Sequence, residues 1–242
     1  MIETIKVESE YQGGPTEIRV LRPKSGAKQT RTVYVLPVEA GLESRFGSGL
    51  EEVERLGLVD KYGIMAVAPT FSHRPCFADH PSDPGIRQVS YFFQDVLPLV
   101  EEKYPGSASQ GRRLLGFSKS GFASVILLCV RPDLFDRAAV FDTPFSMDRF
   151  DTFGWSSAEI YGTQENFERY RVSRLLEENA AAFRKGIRLG LFGGEAFQKD
   201  HQEARKLLQN LSIPHAFDEN WERKHVWESG WIPEAMKFLA GP

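Results

Sequence analysis

Apolar positions recur along the chain with two periods, and the change between them divides the sequence. Residues 2–9 and 16–22 alternate apolar and polar side chains, the period of a strand with one covered face, and Gly13-Gly14-Pro15 between them has turn chemistry. An antiparallel pair is expected there. From Thr32 onward the runs become almost continuous, Thr32-Val33-Tyr34-Val35-Leu36 and then residues 64–69, as expected of strands covered on both faces. Between them Leu50, Val53 and Leu56 keep helical spacing, and residues 86–104 read as a helix that Pro98 must kink or break. Leu114 and Leu115 form a short run that turns at residues 116–121 into an apolar segment of helical length, ending before Pro132. Further strands are expected at 138–141, 188–192 and 215–217, and helices at 164–184, 197–208 and 233–239, the last with proline in its first turn.

Eight strands in this order predict an α/β protein: a mostly parallel sheet with helices on both faces, in one domain spanning residues 1–242. An insertion at about 144–186 stands where it would roof a site, because ligands in such sheets bind beyond the carboxyl ends of the strands.

Composition narrows the function classes. Apolar residues make up 41% and charged residues 26%, which is enough to bury a core and is unlike a disordered chain. A net charge of −3 gives no footprint for nucleic acid or an anionic membrane, so neither is an expected partner. No stretch approaches the ~20 apolar residues of a membrane span, and residues 1–14 lack a signal-like apolar run; a soluble, cytoplasmic protein is expected. Cys76 and Cys129 suggest neither a disulfide framework nor a metal site, and no cofactor is implied. Lys6, Glu8 and Glu17 on the N-terminal strands oppose edge pairing, and nothing else in the sequence speaks to oligomeric state.

The chemistry centres on Gly116-Phe117-Ser118-Lys119-Ser120-Gly121. A serine at a strand-to-helix turn has its hydroxyl pushed out beyond the sheet, and the turn is tight enough to need small residues two positions away on either side. Gly116 and Ser120 are small. Were Ser120 the nucleophile, Phe122 would occupy one of those positions, so Ser118 is the expected nucleophile; the plainer alternative is a serine capping an ordinary helix. A serine hydroxyl needs a base, and the base a carboxylate, in the chain order serine, acid, histidine. Glu195, directly after the strand at 188–192, is the first candidate acid, with Asp142 and Asp200 as alternatives. His225 lies in a loop beyond the last strand and is the expected base, whereas His215 falls inside that strand. His73 and His80 belong to a loop that either walls a substrate pocket or is simply polar. Oxyanion donors are expected from the N–H of Lys119 and from Val38 or Glu39.

These residues resemble the esterase D-like branch of the α/β-hydrolases, which includes feruloyl esterases, S-formylglutathione hydrolases and antigen 85 mycolyltransferases. The likeness rests on residues 116–121, on Gly193-Gly194-Glu195, and on His225-Val226-Trp227-Glu228-Ser229-Gly230-Trp231-Ile232-Pro233, which is similar to the family's H-x-W-x-x-x-W-x-P ending. It implies an α/β-hydrolase fold and a serine carboxylic ester hydrolase that forms an acyl-enzyme on Ser118 with a small-molecule ester. It also implies substrate-side roles for Phe77 and Asp79 in the loop at 71–84, and for Trp227; Trp155 and Tyr161 in the insertion are candidates for a pocket wall. Four residues depart from the pattern: Pro37-Val38 where His-Gly is frequent, Lys224 in place of a glycine, and Glu195 in place of an aspartate. Alternative functions are an acyltransferase using the same triad and a non-catalytic protein that binds a carbohydrate or protein partner in the same cleft. A peptidase of this fold is a remoter one.

Overall fold

Each apolar run becomes a strand within a residue or two of its expected limits. The computed structural model describes residues 1–24, 26, 30–42, 45–145, 150 and 157–241. Its strands are β1 (Glu3–Val7), β2 (Thr16–Leu21), β3 (Thr32–Val35), β4 (Met65–Pro69), β5 (Arg112–Phe117), β6 (Arg137–Phe141), β7 (Leu189–Phe192) and β8 (His215–Asp218). They form one sheet in the order β1-β2-β4-β3-β5-β6-β7-β8. The pairs β1·β2 and β2·β4 are antiparallel and all later pairs parallel, which gives the α/β-hydrolase fold.

Strand alternation divides the core between the two faces. Tyr34, Val67, Leu114, Val140 and Leu191 pack on one side, with the helices Lys119–Val130 and Val172–Phe183. Val33, Val35, Leu115, Phe117 and Phe141 pack on the other, with the helices Gly49–Arg55 and Ile232–Ala240. The sheet is thereby covered on both sides, and its carboxyl edge is left for loops.

Two expected helices are subdivided. The segment holding Pro98 runs as Gln88–Tyr91, a π-helical turn Phe92–Val96, and Leu97–Lys103. The wide turn falls just before the proline, which has no N–H to give, so the helix changes pitch instead of ending. The charged helix of the insertion breaks at Arg171, whose ψ of 119° is extended, into Gln164–Tyr170 and Val172–Phe183. Ile160, Tyr161 and Phe167 of the insertion pack against Cys76, Ala78 and Ile86, so the insertion is fastened to the loop after β4. Trp155 lies outside the described residues.

Candidate active site

β5 runs straight into Ser118, whose φ of 53° and ψ of −126° are strained for any residue with a side chain. The turn is held by the Ser118 N–H, which donates to Phe141 O on β6 at 2.9 Å. Gly116 is required, since a Cβ there would stand 2.2 Å from the backbone oxygen of Ser120. Ser120 fits because its hydroxyl folds back on the strand, donating to Phe117 O at 2.9 Å and accepting from Phe117 N at 3.0 Å. Fully buried and bonded in this way, Ser120 faces no substrate. Gly121 is needed for packing further along the helix. A Cβ there would meet the Thr143 hydroxyl at 2.0 Å, so its absence lets the helix close against the turn after β6.

His225 Nε2 lies 3.1 Å from Ser118 Oγ, and His225 Nδ1 lies 2.7 Å from Asp142 Oδ2. Serine, histidine and carboxylate thus form one unbroken chain. The imidazole is fixed by the rings of Phe117, Phe197 and Phe46, with centroids at 4.5, 5.4 and 5.5 Å. Behind it, Trp227 stacks on Trp231 and Trp231 on Phe141. The loop after β3 is locked to the histidine loop: Trp227 N donates to Phe46 O at 3.0 Å, and a Cβ on Gly49 would come within 2.6 Å of the Trp227 ring.

Asp142 is completely buried, with φ 43°, a region that aspartate tolerates better than most residues. Besides His225, its oxygens accept from the N–H groups of Ala196 at 3.1 Å and Phe197 at 2.8 Å. Buried as it is, the carboxylate has partners at both oxygens. Next to it, the N–H of Thr143 donates to His201 Nε2 at 2.8 Å. Burial pushes the fully enclosed His201 down to about 4, with Asp142 acting in the opposite direction, so its ring is neutral and able to accept.

The expected acid is therefore corrected. Glu195 accepts from the Lys224 ammonium at 2.7 Å, and its contact with His225 is to the backbone N–H, at 3.4 Å. The Lys224 ammonium draws the Glu195 carboxyl below its ordinary value, the state of a surface ion pair. The two glycines before it make room for different neighbours: a Cβ on Gly194 would stand 2.6 Å from the Asp142 carboxyl carbon, and one on Gly193 would stand 2.6 Å from the Trp221 ring. Asp200 lies in the first turn of the helix Gln198–Asn210, and it is Asp142 that bonds His225 Nδ1.

The expected substrate-side residues are also relocated. Phe77 is fully buried and packs on Phe71 and Phe92. Asp79 accepts from Val89 N, Ser90 N and Ser90 Oγ at 2.6–3.0 Å, so it caps the helix that follows. Tyr161 is buried, its hydroxyl donating to Cys76 O. Trp227 faces a neighbouring cavity of about 360 Å³, not the serine.

The cleft above Ser118 has a volume of about 640 Å³. Val38, Glu39, Lys119 and His225 line it, and His73 joins them, whereas His80 turns to cap its own loop. Phe46, Phe197, Arg45, Arg74 and Glu159 are additions that no motif marks, because each reaches the cleft from a loop or from the insertion. Among the described residues no group of three His, Cys, Asp or Glu could hold a metal ion, and no helix is long and apolar enough to cross a membrane.

Residues 9–233 match the Esterase family, described as "Putative esterase". No curated protein matches the chain. Among solved structures, an S-formylglutathione hydrolase from Staphylococcus aureus is similar with a TM-score of 0.81 at 16% identity, over 100% of this chain and 99% of that one. A ferulic acid esterase gives 0.74 at 19% identity, over 99% and 96%. MPT51 of Mycobacterium tuberculosis gives 0.74 at 17% identity, over 98% and 96%.

Proposed function

The chain belongs to the Esterase family, and on that footing we propose that it is a serine carboxylic ester hydrolase whose nucleophile is Ser118. The observation that carries the reading is the continuous Ser118–His225–Asp142 chain, at 3.1 and 2.7 Å, on a strained strand-to-helix turn.

In this reading His225 holds its Nδ1 proton toward Asp142 and presents a bare Nε2 to the serine hydroxyl. As Ser118 Oγ attacks the ester carbonyl carbon, its proton passes to Nε2, and Asp142 stabilises the imidazolium that forms. The carbonyl oxygen becomes an oxyanion facing the Lys119 N–H, with a second donor from Val38 or Glu39 on the cleft wall; each such donor lowers the barrier by roughly 3 kcal/mol. Collapse breaks the bond to the alcohol oxygen, which leaves with the proton from Nε2, and the acyl group stays on Ser118. Water then repeats the sequence: it gives a proton to Nε2, attacks the acyl carbon and releases the carboxylic acid as Oγ recovers its proton. These steps call on neither a metal nor a redox group.

Intact-mass analysis after treatment with a fluorophosphonate tests the assignment. One adduct on the wild type and none on Ser118→Ala is the expected result, with ester hydrolysis falling by about 10⁴-fold or more in the variant. A folded wild type that takes no adduct would overturn it and favour a binding role for the cleft. Transfer of the acyl group to an added alcohol in preference to water would instead identify an acyltransferase.

A further inference from the structure

We propose that the ester taken by this site carries a second, ionised acid group, a carboxylate or a phosphate, held beside Ser118 by the cationic wall of the cleft. The inference rests on the esterase reading and concerns which esters that site prefers.

Charge is distributed unevenly between the cleft and the whole. The protein has a net charge of −3, yet the cleft is lined by three basic side chains, Arg45, Arg74 and Lys119, against two carboxylates, Glu39 and Glu159. Lys119 follows the nucleophile directly and is largely withdrawn from solvent. Burial lowers its proton affinity, and the charges of Arg74 and Arg45 push the same way, while Cys76 and Glu39 oppose. A cation placed in this way beside two arginines raises the local positive potential, which an anion entering the cleft would offset.

The surroundings suit such an anion. Phe46 and Phe197 line the same cleft, so apolar surface lies beside the basic side chains, and a charge pair gains strength where a bound substrate displaces water. Arginine presents a planar fork that matches a carboxylate or phosphate, and Arg74 and Arg45 are exposed, so an incoming substrate meets them first. A neutral ester would use only the oxyanion donors and draw nothing from this wall.

The test compares kcat/KM within two matched pairs of esters, each value divided by the rate with hydroxide to remove intrinsic reactivity. In the first pair the charge is on the acyl side, para-nitrophenyl monoadipate against para-nitrophenyl hexanoate. In the second it is on the alcohol side, para-carboxyphenyl acetate against para-carbamoylphenyl acetate. At low ionic strength at least one anionic member is expected to be preferred by about tenfold, the value of one charge-assisted contact. Added salt should shrink the preference. Arg74→Gln should lower the ratio and Glu159→Gln should raise it, opposite shifts that a general loss of structure would not produce. Ratios at or below one in both pairs, with the neutral esters turned over, would overturn the proposal and leave the esterase reading intact. No turnover of any ester and no fluorophosphonate adduct would remove both.

Discussion

Two turns at the carboxyl edge of the sheet, one after β6 and one after β7, each present a carboxylate directly after a strand, and their fates are opposite. Asp142 is buried, holds three partners and reaches the histidine; Glu195 is exposed and pairs with Lys224. Direction, not distance, separates them, since the turn after β7 also lies against His225. The positive φ of Asp142 turns its carboxylate inward onto His225 and the N–H groups of Ala196 and Phe197, whereas Glu195 turns outward onto the Lys224 ammonium.

The comparison breaks most sharply by removing charge from each turn separately. Asp142→Asn should lower kcat by about 10⁴-fold with little change in fold, because the wrong imidazole tautomer is then favoured; steady-state kinetics with an activated ester checks it. Gly194→Ala attacks the same carboxylate from the other turn. The new Cβ has no space beside the Asp142 carboxyl, and a loss of about 10²–10³-fold is expected with a lowered melting temperature, measured by kinetics and calorimetry.

A smaller effect comes from His201, which supports the Asp142 turn from below. Its folded value near 4 lies under the ordinary 6.5, so between these limits the unfolded chain binds a proton that the folded chain refuses. Stability should be full above that window and fall as the pH drops through it, by on the order of 3 kcal/mol at its limit. His201→Gln should flatten this slope, as read from urea midpoints taken at about pH 7 and about pH 4.5. Least of all, Glu195→Gln should change kcat/KM by less than about threefold, as for an exposed ion pair.

The sheet was legible because its first two strands alternate apolar and polar positions and its later ones are near-continuous apolar runs, and the elbow because Gly116, Ser118 and the helix after it are contiguous. His225 was legible from its place after the last strand. The acid was not, since choosing between Asp142 and Glu195 needs to know which carboxylate turns inward onto the histidine and which outward onto Lys224, and no local pattern states that. Gly193-Gly194 misled for a related reason: a glycine pair marks a close approach without saying whose side chain approaches. Phe77 and Asp79 sit in a motif-like loop, yet one fills the core and the other caps a helix. Arg74, Glu159 and Phe197 meet at the cleft only through loop and insertion geometry, to which periodicity gives no access.

The bond from Trp227 N to Phe46 O, together with the contact of Trp227 on Gly49, joins the loop after β3 to the loop bearing His225. Phe46 also sets its ring against the His225 imidazole, so the two ties close a small circuit: Phe46 bears on His225 through its ring and is held through its carbonyl by the residue two places beyond that histidine on the same loop. A displacement of either loop is therefore felt at the imidazole.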